Sequence, residues 1–116
     1  MRIIQTLRLK EDPILVEEYK KAHKNVWPEV IDGIKAVGIQ NMEIYINGYT
    51  LFMIMDVPDD FNREEAFARL ATLPRQAEWE KYVEKFQQST PGASSGEKWK
   101  EAEKIFGLND PNKLEK

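Results

Sequence analysis

NMEIYINGYTLFMIMDV, residues 41–57, reads as two strands folded back on each other. Met42, Ile44 and Ile46 alternate with Glu43, Tyr45 and Asn47, the period-two pattern of a half-buried strand. Asn47-Gly48 is the strongest short hairpin signal, because both central turn positions need positive φ. An apolar return strand follows directly. An antiparallel hairpin in mid-chain already argues for a sheet built from hairpins. What flanks it sets the fold class.

Upstream, RIIQTLRL at 2–9 alternates again, with Ile3, Gln5, Leu7 and Leu9 on one face and Ile4, Thr6 and Arg8 on the other. Glu11-Asp12-Pro13 then marks a turn and a helix start. From Ile14 to Val37 the apolar spacing is helical, through Val16, Tyr19, His23, Val26, Val30, Ile34 and Val37. Pro28 interrupts it. Proline donates no amide hydrogen and crowds the carbonyl of Lys24, so two helical pieces joined by a kink or short break are expected. Gly38 is the stop.

Downstream, residues 58–62 form a polar loop. Residues 63–73 are helical with Phe67 and Leu70 inward. Pro74 starts another helix carrying Trp79, Tyr82, Val83 and Phe86. QQSTPGASSGEK, 87–98, reads as a flexible loop. In WKEAEKIFGL, helical propensity competes with strand-like alternation, and the residues alone leave both open. Residues 107–116 read as a loose tail of a single domain spanning 1–116. Strand, helix, two strands, helices and a last undecided element describe an α+β sandwich, an antiparallel sheet with helices on one face.

The bulk numbers narrow the function. The chain has 116 residues, 41% hydrophobic and 32% charged, enough for one core. Seventeen basic against twenty acidic residues give a net charge of −3, which argues against nucleic acid as a partner. Cysteine is absent, which removes disulfides, thiolate catalysis and cysteine-based zinc sites. The start resembles no signal peptide and no run is long enough to span a bilayer, so no membrane and a cytoplasmic location are the expectation. One histidine makes a catalytic metal site improbable, and neither GxGxxG nor GxxxxGK is present, so no metal and no cofactor are expected. No GxSxG elbow points to a serine nucleophile.

That leaves EYKKAHKNVWPEV, residues 18–30. In a continuous helix Tyr19, His23 and Trp27 share one face by their i, i+4 spacing. The plain reading is a core histidine bonded to a backbone carbonyl between packing aromatics. The functional reading is a sugar site. Aromatic rings cover the apolar C–H face of a pyranose, OH and NH groups bond its hydroxyls, and an imidazole exchanges protons near neutral pH. Glu29, just after Pro28, reads as an exposed acid at a helix start.

The same stretch resembles the helix motif E-Y-x-x-x-H-x-x-x-W-P-E of the L-rhamnose mutarotase family, with Tyr19, His23, Trp27, Pro28 and Glu29 in the matching places. The hairpin IYINGYTLFMIMDV and the helix WEKYVEKF, through Trp79 and Tyr82, are similar to later parts of the family. The resemblance covers about residues 2–106. It implies a ferredoxin-like fold of the dimeric α/β-barrel type, with the sheets of two subunits packed in a homodimer. It implies that WKEAEKIF is a strand that joins the partner's sheet. It implies interconversion of the α and β anomers of a 6-deoxy-hexose without metal or cofactor. His23 matches the family's proton donor. Tyr19 and Trp79 match sugar contacts.

Two positions depart from the best-known rhamnose enzymes. Met42 stands where a substrate-binding tyrosine is expected, and Glu80 follows Trp79 where a second tryptophan is expected. The acid–base motif is kept and the sugar contacts change. A branch of the family with MEIY and a C-terminal GEKW, as here, is suited to L-fucose, which differs from L-rhamnose in the orientation of ring hydroxyls. Catalytic His23 and substrate-binding Tyr19, Trp27, Met42, Trp79 and Glu80 are therefore the expected site for a monosaccharide. Tyr19 and Tyr45 compete as the second acid–base group. Strict alternation turns Tyr45 away from the Met42 face. A cofactor-free monooxygenase of the same fold and a sugar-binding dimer without turnover are the alternatives.

Overall fold

A computed structural model describes residues 1–90 and 92–110. The first strand, β1, spans Arg2–Arg8. Helix α1 follows at Pro13–Ala22. Its N-cap is Asp12, whose carboxylate accepts from the Ile14 amide at 2.9 Å, and Pro13 fills the first turn, where no donor is required. Helix α2 is Pro28–Ala36. The hairpin strands are β2, Asn41–Asn47, and β3, Thr50–Asp56. The turn lies one residue later than Asn47-Gly48: Asn47 pairs with Thr50, so the loop is Gly48-Tyr49, with Gly48 alone at positive φ, +63°, in its first position.

The C-terminal half carries α3 (Arg63–Leu70), α4 (Gln76–Glu84), α5 (Ser95–Lys98) and β4 (Lys100–Glu101). The four strands lie in the order β2-β3-β1-β4, all neighbours antiparallel. This is the split β-α-β arrangement of a ferredoxin-like α+β fold. Register pairs Gln5 with Met53 and Met53 with Ile44, so alternate residues of three strands share one face. On that face Ile3, Leu7, Leu51, Met53 and Met55 are buried together with Val16, Tyr19 and Val30 from the helices. Gln5, in the middle of β1, is 0% exposed. Its amide accepts from Arg63 Nε at 2.6 Å and donates to Met53 Sδ at 3.3 Å, so a polar residue on a core face has its partners.

Several expectations change. The break around Pro28 occurs earlier than the proline: α1 ends at Ala22, residues 23–27 turn, and Pro28 opens α2. The fourth helix starts at Gln76, not Pro74, because Arg75 takes a left-handed φ of +62°. The 87–98 stretch contains a helix. Ser94 and Glu97 make a capping box that starts α5. The last element resolves as a strand of two residues on this chain's own β1, extended by an Ala102 amide bond to Ile4 O at 2.7 Å. Beyond it Ile105 is 91% and Phe106 67% exposed. Residues 107–110 form a turn in which the Asp110 amide bonds Gly107 O at 3.1 Å. The rest of the expected tail, 111–116, lies outside the described residues.

Helix α4 is locked to α2 by a buried polar side chain. Gln76 Nε2 donates to the carbonyls of Glu29 and Val30, both at 3.2 Å. Gly33 makes room for it, since a Cβ there would collide with the Gln76 amide. Two effects oppose each other in Gly33→Ala. Alanine favours the helix by about 1 kcal/mol, and overpacking a core site costs about 1–3 kcal/mol. Because Gln76 must also surrender two buried bonds, Gly33→Ala should lower stability in urea unfolding. In a Gln76→Ala background the same change should raise it.

Candidate functional site

The break after Ala22 builds the site. At the end of α1 the Tyr19 carbonyl accepts the His23 amide at 3.2 Å. The His23 ring turns back on the same carbonyl, Nδ1 to Tyr19 O at 3.0 Å. A carbonyl only accepts, so Nδ1 carries the proton and Nε2 is the lone-pair nitrogen. Nε2 has no hydrogen-bond partner among the described residues. His23 lines a cavity of about 450 Å³ between the helices and the sheet.

Tyr19 and Trp79 wall that cavity on either side of the imidazole. The Tyr19 and His23 rings lie 4.3 Å apart, and the Trp79 ring meets His23 edge-on at 5.5 Å. Met42, Ile44 and Met53 form the sheet floor. Glu80, Gln87 and Ser95 supply polar groups, and Ile31, Ile34 and Val26 an apolar rim. One indole, one phenol, one imidazole and a few polar tips around an apolar floor suit a small ring with hydroxyls on its edge.

Of the expected site residues, Tyr19, His23, Met42, Trp79 and Glu80 converge on this cavity. Trp27 does not line it. The chain leaves the helical path at His23, so Trp27 is rotated off the line through Tyr19 and His23 and becomes the N-cap residue of α2. It packs behind the site instead, edge-on to Trp79 at 5.1 Å and stacked on Tyr82 at 6.0 Å. The Arg75 guanidinium covers its outer face at 4.1 Å and reaches Glu29 at 3.7 Å. Trp27 thus holds Trp79 in place. Tyr45 lies on the opposite sheet face, 54% exposed and bonded to Glu43 at 3.1 Å, away from the cavity.

Three lining groups escape the sequence reading. Gln87 and Ser95 fall in a stretch that reads as loop, although the Ser94-x-x-Glu97 capping pattern was a usable sign of order there. Trp99 is 4% exposed and lines the cavity, yet belongs to the segment whose periodicity is ambiguous. Among the described residues no group of three or more His, Asp or Glu side chains is placed to hold a metal ion. No described helix is long and apolar enough to cross a membrane.

Burial sets the protonation states in opposite directions. Desolvation holds His23 below its ordinary value, only partly countered by the Tyr19 carbonyl. Desolvation pushes the Tyr19 phenol far up, against a hydrogen bond from Gln87 that favours the phenolate. Near pH 7 the pair is therefore a neutral base beside a protonated acid.

The lowered His23 value has a consequence for stability. The unfolded chain takes the proton more readily than the folded one. The stability that neutral His23 contributes is complete above its ordinary value of 6.5 and is lost as pH falls below it. His23→Gln should flatten the fall of unfolding free energy between about pH 7 and 5, measured by urea titration at several pH values.

Comparison with known proteins agrees with this geometry. The family profile described as L-rhamnose mutarotase matches residues 2–108. An L-fucose mutarotase of Xanthomonas campestris pv. campestris is 38% identical over 94% of this chain and 89% of its own length. An L-rhamnose mutarotase of Lactiplantibacillus plantarum is 33% identical over 72% of this chain and 77% of its own. Among solved structures, the L-rhamnose mutarotase from Formosa agariphila superposes with a TM-score of 0.71 at 22% identity, covering 93% of this chain and 98% of that one. Tetracenomycin F2 cyclase from Streptomyces glaucescens shares the fold at a TM-score of 0.64 and 15% identity, covering 96% and 99%. By the profile and the two sequence relatives, the chain belongs to the L-rhamnose mutarotase family.

Proposed function

We propose that this protein interconverts the α and β anomers of an L-6-deoxy-hexose, with L-fucose the favoured substrate. The observation that carries the reading is the pairing of His23 and Tyr19. Ring opening removes the proton from the anomeric O1 and adds one to the ring oxygen. Both oxygens sit on the same carbon, so the base and the acid must be neighbours. The His23 and Tyr19 rings touch at 4.3 Å in one cavity.

His23 Nε2 takes the O1 proton. The C1–O5 bond breaks as its electron pair leaves with O5, and O5 takes the Tyr19 phenol proton. The open aldehyde rotates about C1–C2. Closure runs the same transfers backwards: the phenolate recovers its proton from O5–H and the imidazolium returns one to O1. Each cycle ends with the protein as it began, and no covalent intermediate is required. Trp79 covers the C–H face of the sugar. Met42 and Glu80 change the hydroxyl contacts relative to rhamnose enzymes, and the longer match to an L-fucose mutarotase supports the fucose assignment. A cysteine-free chain acting on a free monosaccharide fits a cytoplasmic location.

The same reading includes a homodimer. The sheet face turned away from the helices carries Ile4, Phe52 and Ile54, half-buried in one chain, which supports packing against a second sheet. Ile105 and Phe106, beyond β4, add two further exposed apolar side chains.

Exchange NMR on the anomeric protons of L-fucose and L-rhamnose tests the activity. The protein should speed α/β exchange, faster for L-fucose, and His23→Ala should cut the effect by about 10² to 10⁴-fold. No acceleration for either sugar rules out the mutarotase. Binding that survives His23→Ala, with no turnover in any form, would instead indicate a sugar-binding protein. Sedimentation should give twice the 13.6 kDa chain mass, and Phe52→Glu should shift it to one.

A further inference from the structure

Lys98 belongs to a Ser- and Gly-rich stretch, yet its side chain is only 1% exposed. The short helix α5 carries it inward. Its ammonium pairs with Glu80 Oε1 at 2.7 Å and donates to Gln87 Oε1 at 2.7 Å. A buried ammonium is costly unless its donors are met, so these contacts are strongly enforced. Lys98 does not line the cavity. Both of its partners do.

The consequences for the partners differ. Glu80 Oε1 is sealed beneath Lys98, and Oε2 accepts from Ser95 Oγ at 2.5 Å. A carboxylate oxygen has two acceptor positions, so Oε2 retains one for a ligand. Gln87 is pinned through its backbone, bridged to Leu9, with the next amide donating to Arg8 O at 2.8 Å. Its side-chain orientation is then fixed by Lys98. An ammonium has no lone pair, so the oxygen end of the amide must face it and the NH₂ end must face the other way. There the side chain meets the Tyr19 hydroxyl. That neighbour favours the ionised phenol, as a donor would.

Resting on the mutarotase reading, we propose that Lys98 is a positioning residue for sugar recognition. Its buried ammonium fixes Glu80 as an acceptor and Gln87 as a donor in the cavity wall, and this pair reads the orientation of the ring hydroxyls. Two diastereomeric 6-deoxy-hexoses place a hydroxyl differently against one fixed acceptor and one fixed donor. A wall that could reorient would accept both.

Lys98→Met alone strands the Glu80 charge and can unfold the protein. Lys98→Met with Glu80→Gln removes both charges in matched shapes, a change that proteins tolerate. Glu80→Gln with Lys98 retained loses the charged acceptor only. In anomer-exchange kinetics, the double variant should raise KM for the preferred sugar by roughly 10- to 100-fold and level the preference between L-fucose and L-rhamnose. Its kcat should change far less, and Glu80→Gln alone should lose less on both counts. Equal behaviour of the single and double variants would overturn the proposal, as would an unchanged sugar preference. A second readout needs no sugar: the two Gln87 side-chain amide protons should resonate apart in wild type and converge in the double variant. Unchanged amide resonances also overturn it. If wild type speeds exchange of neither sugar, the mutarotase reading falls, and the amide readout still decides whether Lys98 positions Gln87.

Discussion

The carbonyl of Tyr19 is the point on which the site depends. A helix through residues 14–37 would direct that oxygen to the amide of His23 and continue. Pro28 has no amide to give Lys24 O, so the helix cannot run on through it in regular form. The chain yields five residues earlier, and His23 becomes the last capping residue of α1. Its ring is then free to fold back onto Tyr19 O. That one contact selects the tautomer, fixes the ring plane against Tyr19 and leaves Nε2 over the cavity. A proline outside the site thus sets the protonation geometry inside it. The carbonyl used is Tyr19 O, not the Lys24 carbonyl that the proline itself displaces.

The sheet separates two tasks by parity. In β2, Met42 and Ile44 face the cavity while Glu43 and Tyr45 face away. In β1 and β3 the same alternation puts Gln5 and Met53 beneath the helices and leaves Ile4, Phe52 and Ile54 on the far face. A slip of one residue in either hairpin strand would exchange these sets, burying Glu43 in the sugar floor. The Gly48-Tyr49 turn fixes that register through a positive φ at Gly48 that few other residues adopt cheaply. The cavity face and the far face of the sheet are therefore specified by the same local signal.

The elements that were legible in the sequence are those whose cause is local. The Asp12-Pro13 cap, the hairpin turn at Gly48 (one residue off the Asn47-Gly48 reading) and alternation along β1 to β3 each act within a few residues. The placement of Tyr19, His23, Met42, Trp79 and Glu80 around one cavity follows from them together with the family motif. Trp27 was misplaced because i, i+4 reasoning extends a helix through a turn that the sequence announces only by its proline. Gln5, Gln76 and Lys98 were illegible for another reason. Each is a polar residue whose burial depends on a partner far along the chain: Arg63, the α2 carbonyls, and Glu80 with Gln87. Nothing in the neighbourhood of Lys98 distinguishes it from a solvated lysine.

This distinction bears on how chemistry and specificity are divided in the chain. The proposed acid–base pair is carried by two residues four apart on one helix end, and so by a short motif. Discrimination among hydroxyls draws on β2, α4, the 87–98 segment and α5, brought together only by the complete fold. Tyr19 joins the two systems, since its ring lies against the imidazole and Gln87 adjoins its hydroxyl. Burial alone would leave the phenol a reluctant donor. A donor at Gln87 favours the phenolate left after the phenol gives up its proton. A sugar whose hydroxyls disturb Glu80 or Gln87 would be bound less well.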